Sequence, residues 1–129
     1  MGPKSDDDVV ICAYARTAMT KARRGAQKDT SPEIMLSVVM KDVMRKANVD
    51  PKLIQEMVIG NVNQPGGGAT TARMAGFLAG IPETTTLMAI NRFCSSGLQA
   101  CASLANSIRS GQIDIGIAGG VENMSMFDM

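Results

Sequence analysis

Short apolar runs of strand length alternate with longer amphipathic stretches along nearly the whole chain, and no other feature narrows the fold so far. The runs are residues 9–15 (VVICAYA), 56–62, 85–91 and 113–118. Between them, 30–47, 71–79 and 95–110 carry the apolar spacing of helices. The first run opens on β-branched residues and has no polar alternation, which suits a strand buried on both faces, with Cys12 inside it. Strand, helix, strand, helix, strand, helix, strand predicts an α/β fold: a parallel sheet covered by helices, with right-handed crossovers.

The punctuation agrees with this division. Thr30 and Glu33 have the spacing of a capping box, with Pro32 in the first turn. Behind them Leu36, Val39, Met40, Val43 and Ala47 form one stripe, and Ser37, Lys41, Asp42, Arg45 and Lys46 the other. Arg45 and Lys46 sit near the C-terminal end, where the helix dipole favours cations. Asp50-Pro51 starts a short turn or helix. Residues 61–70, with Pro65 and the triplet Gly66-Gly67-Gly68, are a loop. It is not a phosphate cradle, because no Gly-Lys-Ser/Thr follows and no G-x-G-x-x-G is present. Gly80 and Pro82 close the second helix. The third is expected to bury Leu98, Cys101, Ala102, Ala105 and Ile108, and Gly111 ends it.

Composition excludes several classes. The 129 residues carry 13 basic and 12 acidic side chains, for a net charge of +1; 45% are hydrophobic and 19% charged, as in one globular domain. With no basic patch interleaved with aromatics, nucleic acid is not an expected partner. No apolar run approaches the roughly 20 residues of a membrane span. Residues 1–8 are polar and read as a loose tail, with no signal peptide. Residues 16–28 hold Arg16, Lys21, Arg23, Arg24 and Lys28, a solvated loop or else an anion-contacting one. Aromatics are 3% and Met reaches 11, so the core is aliphatic and Met-rich. Three Cys and no His fit a reducing compartment better than a disulfide framework. They also rule out an internal Cys-His or Ser-His pair and a histidine zinc site, and the scattered Cys form no zinc motif.

Chemistry points to residues 91–99, NRFCSSGLQ, where Cys94 falls at a junction between strand and helix. The first turn of a helix has free N–H groups and the positive end of the macrodipole, so a thiol there is expected to be more ionised. Ser95, Ser96 and Gly97 are small enough to admit a substrate carbonyl beside the sulfur, with backbone N–H groups to hold a developing oxyanion. On spacing alone, a buried structural Cys is the alternative. Cys94 and Cys101 lie about 10 Å apart along a helix, too far for a disulfide.

This segment resembles the nucleophile segment of the thiolases. Arg16-Thr17-Ala18, Gly60-Asn61-Val62, Ala72-Arg73-Met74-Ala75, Gly80-Ile81-Pro82 and the stretch 119–125 (GGVENMS) are similar to thiolase segments in the same order. Residues 60–66 and 81–84 look most like the peroxisomal type of 3-ketoacyl-CoA thiolase. The resemblance implies a thiolase-like fold: the βαβαβαβ portion of the N-terminal thiolase domain over 9–129, without its last strand, behind a tail at 1–8. It implies that Cys94 is the nucleophile that is acylated and that its own N–H is one oxyanion donor, while Cys12 and Cys101 match no catalytic position. The implied reaction is thiolytic cleavage of a 3-ketoacyl-CoA to acetyl-CoA and a shortened acyl-CoA, as in fatty acid β-oxidation. Coenzyme A is then a substrate, and no cofactor or metal is bound. A homodimer paired through the N-terminal sheet is implied, as is a peroxisomal location, with a mitochondrial one as the alternative.

The sequence departs from the family pattern in two ways. Phe93 stands where Gln is expected before the nucleophile. No Gly-His-Pro or Cys-x-Gly-Gly-Gly segment is present, so the His and second Cys that serve as base and acid in the family are lacking, and the loop domain that holds the pantetheine arm would begin near residue 126. The 129 residues alone are therefore expected to be inactive. An interaction module, an acetoacetyl-CoA thiolase and a ketoacyl synthase are the rival readings; Asn91-Arg92 and the 119–125 stretch favour thiolase over the last. The truncated sheet is expected to expose a strand edge and apolar helix faces, so the isolated chain should self-associate. Sedimentation velocity checks this, and a monodisperse monomer that melts cooperatively above about 60 °C would contradict it.

Overall fold

Pro32 decides where the first helix begins. Its ring presets the backbone for a first turn and makes Ser31 the N-cap, with φ −68° and ψ 149°. The computed structural model describes residues 5–128, and in it α1 spans Pro32–Ala47. The expected capping box does not form. With Ser31 at the cap, Thr30 and Glu33 are one residue out of register, and Ser31 itself makes no side-chain cap bond. The Thr30 carbonyl accepts instead from Asn123 Nδ2 at 2.7 Å. Asn48 ends α1 in the left-handed region (φ 52°), and the N–H groups of Asn48 and Val49 reach back to the carbonyls of Arg45 and Met44. On the solvent side Asp42 pairs with Arg45 and Lys46 at 2.6 and 2.7 Å. The bond from Lys46, then that from Arg45, holds the Asp42 carboxyl below its usual value, so this surface contribution is lost as pH falls through that depressed value.

A single 3₁₀ turn at Pro51–Leu53 follows where Asp50-Pro51 predicts one, the Asp50 carboxylate accepting from the Lys52 N–H at 2.9 Å. The remaining elements are β1 (Glu56–Gly60), a second 3₁₀ stretch at Pro65–Gly68, α2 (Ala69–Ala79), β2 (Thr86–Ile90), α3 (Ser96–Arg109) and β3 (Gly116–Gly120). The three strands are parallel in the order β2-β1-β3. The α/β class and the parallel sheet stand as read from the sequence.

One of the four expected strands is missing among the described residues. Residues 9–15 run without regular structure and are largely exposed, Ile11 at 82%; no backbone-to-backbone hydrogen bond joins them to another described segment, and the Tyr14 carbonyl accepts only from Lys46 Nζ at 3.4 Å. Their composition favours a strand, but strand propensity expresses packing against neighbours, and none of the described strands pairs with them. Cys12 is accordingly exposed, not buried in a strand. The basic loop behind it bonds within the chain: the Arg23 N–H donates to Ser125 Oγ at 2.8 Å, and its guanidinium to Asp128 at 2.5 Å. Of the expected tail, residues 5–8 form an exposed turn and residues 1–4 lie outside the described residues.

β1 divides the core by its alternation. Met57 and Ile59 face α1 and α2, meeting Leu36, Met40, Met44, Ala72, Ala75 and Ala79. Val58 faces α3 and packs with Ala100 and Leu104. The α3 face expected to be buried is therefore buried only in part: Leu98 is 75% exposed and Cys101 and Ala102 are exposed too, whereas Ala105 and Ile108 are half-buried beside the buried Ser96, Ala100 and Leu104. Bare glycine backbone sets the choice. A Cβ on Gly116 would lie 2.7 Å from Leu104 Cδ1, so α3 seats the side that fits into that gap. Met57 is fully buried, and trimming it opens a cavity between the sheet and α2. Met57→Ala is expected to cost about 2–5 kcal/mol, read from the urea midpoint at unchanged m-value.

Candidate active site

The parallel register brings the C-terminal ends of the strands, Gly60, Ile90 and Gly120, side by side. From β1 the chain turns to α2 on one face, and from β2 to α3 on the other. Connections that diverge from neighbouring strands leave a crevice at their carboxyl ends, the usual ligand position of an open α/β sheet. Cys94 lies there, between β2 and the start of α3.

α3 can begin so close to the sheet because β1 ends in glycine. A Cβ on Gly60 would lie 2.8 Å from the carbonyl carbon and the Cβ of Ser96 and 3.0 Å from the Gly97 nitrogen. The chain between Ile90 and Ser96 makes a tight elbow. Asn91 Oδ1 accepts the Phe93 N–H at 3.0 Å. Ser96 Oγ accepts the Arg92 N–H at 2.9 Å and donates to the Phe93 carbonyl at 2.6 Å. Ser95 donates both its N–H and its hydroxyl to the Arg92 carbonyl, at 3.2 and 2.8 Å. The Arg92 guanidinium reaches Gln99 one turn into the helix. Phe93 at the apex sits at φ 50°, a left-handed conformation that costs a bulky residue about 1–2 kcal/mol. Its ring is 77% exposed, so packing does not offset that cost.

Cys94 is exposed and free, which sets aside the buried structural cysteine. Among the described residues, the N–H groups of Cys94, Gly97 and Leu98 donate to no acceptor. With the dipole of a 14-residue helix behind them, they make this end of α3 a positive, donor-rich surface beside the sulfur. Cys12 lies in the unpaired segment, and Cys101 on the exposed side of α3. Among the described residues no three His, Cys, Asp or Glu are grouped to hold a metal ion.

The sequence identified the segments around the elbow by likeness but not what they do. The Glu122 carboxylate accepts from the N–H groups of Val62 and Asn63 at 3.0 and 3.3 Å and from Asn61 Nδ2 at 3.2 Å. The buried Asn61 also donates to the Val121 carbonyl at 2.7 Å and accepts the Gln64 N–H at 3.0 Å. Asn91 Nδ2 donates to the Val62 carbonyl at 3.3 Å. One connected set of bonds thus runs from the end of β3, through the loop after β1, to the elbow after β2. Gln64 is 5% exposed, and its amide nitrogen and oxygen have no partner among the described residues. The signal available in the sequence was Asn and Ser flanking a strand end, residues that bond local backbone in turns.

Comparison with known proteins places this arrangement. Residues 9–129 match the family described as thiolase, N-terminal domain. The peroxisomal 3-ketoacyl-CoA thiolase of Homo sapiens is 52% identical over 121 residues, which are 94% of this chain and 28% of that protein. The peroxisomal 3-ketoacyl-CoA thiolase of Saccharomyces cerevisiae, described as a five-layered α-β-α-β-α structure of two core domains of identical topology, superposes with a TM-score of 0.90 at 42% identity, covering 97% of this chain and 37% of that one. A structure of the dimeric peroxisomal thiolase of the same yeast gives 0.89 at 42% identity, over 95% and 32%. The chain thus spans less than a third of the human relative's length.

Two glycines test the seating of α3. Gly60→Ala is expected to destabilise by about 1–3 kcal/mol in urea unfolding, because backbone must move. Gly97→Ala, where a Cβ meets nothing within 4 Å, is expected to be neutral or to stabilise by up to about 1 kcal/mol.

Proposed function

The chain belongs to the thiolase family, and we propose that it is the nucleophile-bearing portion of a 3-ketoacyl-CoA thiolase of the peroxisomal type, an acyltransferase of fatty acid β-oxidation. The observation that carries this is Cys94, exposed at the open N-terminus of α3 within a segment like that of the thiolases. Its thiolate attacks the 3-keto carbon of a 3-ketoacyl-CoA. The carbonyl oxygen gathers negative charge, and the Cys94 N–H is one donor to it. The bond between C2 and C3 then breaks. Its electron pair leaves with the acetyl-CoA enolate, which takes up a proton, and the shortened acyl group stays on sulfur as a thioester. The thiol of free CoA attacks that thioester, gives up its proton, and carries the acyl group away, restoring Cys94. Splitting one difficult displacement into two is the gain of covalent catalysis.

The proton transfers need a base and an acid. A chain without His supplies neither as a Cys-His pair, so in this reading both come from the rest of a longer protein. Coenzyme A enters as substrate, and no resident cofactor is invoked. The whole protein is a homodimer, a proposal supported by the dimeric yeast relative. Its compartment is the peroxisome, as the names of the human and yeast relatives suggest, and the mitochondrial alternative has no such support. The absence of His also supports a second reading: the 129 residues alone act only as an interaction module that binds a full-length subunit. Turnover of acetoacetyl-CoA by this chain alone would exclude that reading.

The test compares three exposed thiols in one molecule. Iodoacetamide near neutral pH, followed by peptide mapping, should modify Cys94 at least about tenfold faster than Cys12 or Cys101. An acyl-CoA should leave its acyl group on Cys94 alone, and Cys94→Ser should abolish the adduct. Equal labelling of the three thiols would refute an activated nucleophile.

A further inference from the structure

The apex of the elbow carries a conformation that its own side chain does not justify. Phe93 is neither Gly nor Asn, yet it holds φ 50°, and its ring stands in solvent. What holds it there is polar and local. Asn91 Oδ1 takes the Phe93 N–H at 3.0 Å, and Ser96 Oγ gives its proton to the Phe93 carbonyl at 2.6 Å while accepting the Arg92 N–H at 2.9 Å. Both peptide groups that flank the Phe93 Cα are thus gripped by side chains, the Phe93 carbonyl accepting the Ser96 N–H at 3.0 Å as well. Each grip is anchored in turn: Ser96 is buried against Gly60, and Asn91 Nδ2 donates to the Val62 carbonyl at 3.3 Å.

We infer that Asn91 and Ser96 are positioning residues for Cys94, acting as a clasp that keeps residue 93 left-handed and so turns the next residue outward. A residue in the left-handed region reverses the direction of the chain at that point. Cys94 then leaves the line of β2 with its side chain exposed and its N–H without an acceptor among the described residues. Without the clasp, Phe93 relaxes to a right-handed or extended conformation, and the thiol and its own N–H turn away from each other's work. Ser96 and Asn91 touch no substrate in this scheme; they act through the backbone of residue 93. The inference rests on the reading of Cys94 as nucleophile and adds what aims it.

Glycine separates this role from simple stabilisation, because it occupies φ near 50° without strain and needs no clasp. The experiment measures alkylation of Cys94 by iodoacetamide in the 129-residue chain, with Cys12 and Cys101 as internal references and far-UV circular dichroism as a fold control. Ser96→Ala should lower the Cys94 rate relative to Cys12 by about tenfold, the effect of losing both hydrogen bonds of the Ser96 hydroxyl at a strained site. Asn91→Ala, made at an exposed residue with less burden on folding, should lower it in the same sense. Phe93→Gly alone should leave the ratio within about twofold of the parent chain, and placed in either background should restore it to that level. A parent chain in which Cys94 reacts no faster than Cys12 would defeat the proposed function. A fast Cys94 that both alanine variants leave unchanged would overturn the clasp. So would slowing that Phe93→Gly does not reverse, since Ser96 and Asn91 would then act by some route other than residue 93.

Discussion

The close approach of α3 to the end of β1 governs the rest of the structure. Helix backbone can rest on strand backbone only where no side chain intervenes, and Gly60 provides that opening against Ser96 and Gly97. The contact decides three things together. It selects which face of α3 packs on the sheet, because Ala100 and Leu104 follow Ser96 onto the same side. It places the positive end of the helix beside the carboxyl ends of the strands. It also fixes where the chain must turn after Ile90, which brings Cys94 to the crevice. A second glycine, Gly116, repeats the arrangement lower on α3, so the helix is located at two points and cannot tilt freely.

Around that contact, polar groups do what side-chain packing does elsewhere. Loops that leave a sheet still carry N–H and C=O groups that need partners. Glu122 serves the loop after β1 by accepting two of its N–H groups, Asn61 bridges to the segment after β3, and Asn91 ties the same loop to the elbow after β2. The three strand ends are thereby joined by hydrogen bonds that do not depend on an aliphatic core. A Met-rich, aromatic-poor interior adapts its shape readily and specifies position weakly. The directionality the site requires comes instead from glycine contacts and from these bonds.

This division of labour explains what the sequence made legible. Helices α1, α2 and α3 and strands β1, β2 and β3 are readable because periodicity, Pro32 and the closing glycines are local signals. Residues 9–15 mislead because β-branched composition says that a strand is possible, not that a partner edge lies beside it. The buried face of α3 misleads for a related reason. The most apolar stripe, through Leu98 and Cys101, was the natural choice, yet the face that packs is set by glycines on other strands, which no helix pattern can register. The capping box fails by one residue, since Pro32 claims the first helical position and leaves Glu33 a place too early. At the site, likeness singles out Cys94, the proposed nucleophile, and is silent on the contacts of Ser96, Asn91 and Glu122. Their partners lie in turns whose conformation depends on Phe93 being left-handed, and nothing in the identity of a Phe announces that.

Reactivity and turnover are separable in such a design. In the proposed clasp, the contacts that aim Cys94 come from residues 60–62 and 90–99, two short stretches that the pairing of β1 with β2 brings together. The proton donors and acceptors that a Claisen cleavage needs are not built there, and a chain with no His has no substitute for them in imidazole. In the proposed reading, the aiming of the sulfur is therefore a local property of the β2–α3 elbow, and the completed reaction is a property of the longer protein. The outer face of α3 bears the same division. Its exposed Leu98, Cys101 and Ala102 form an apolar surface directly behind the nucleophile turn.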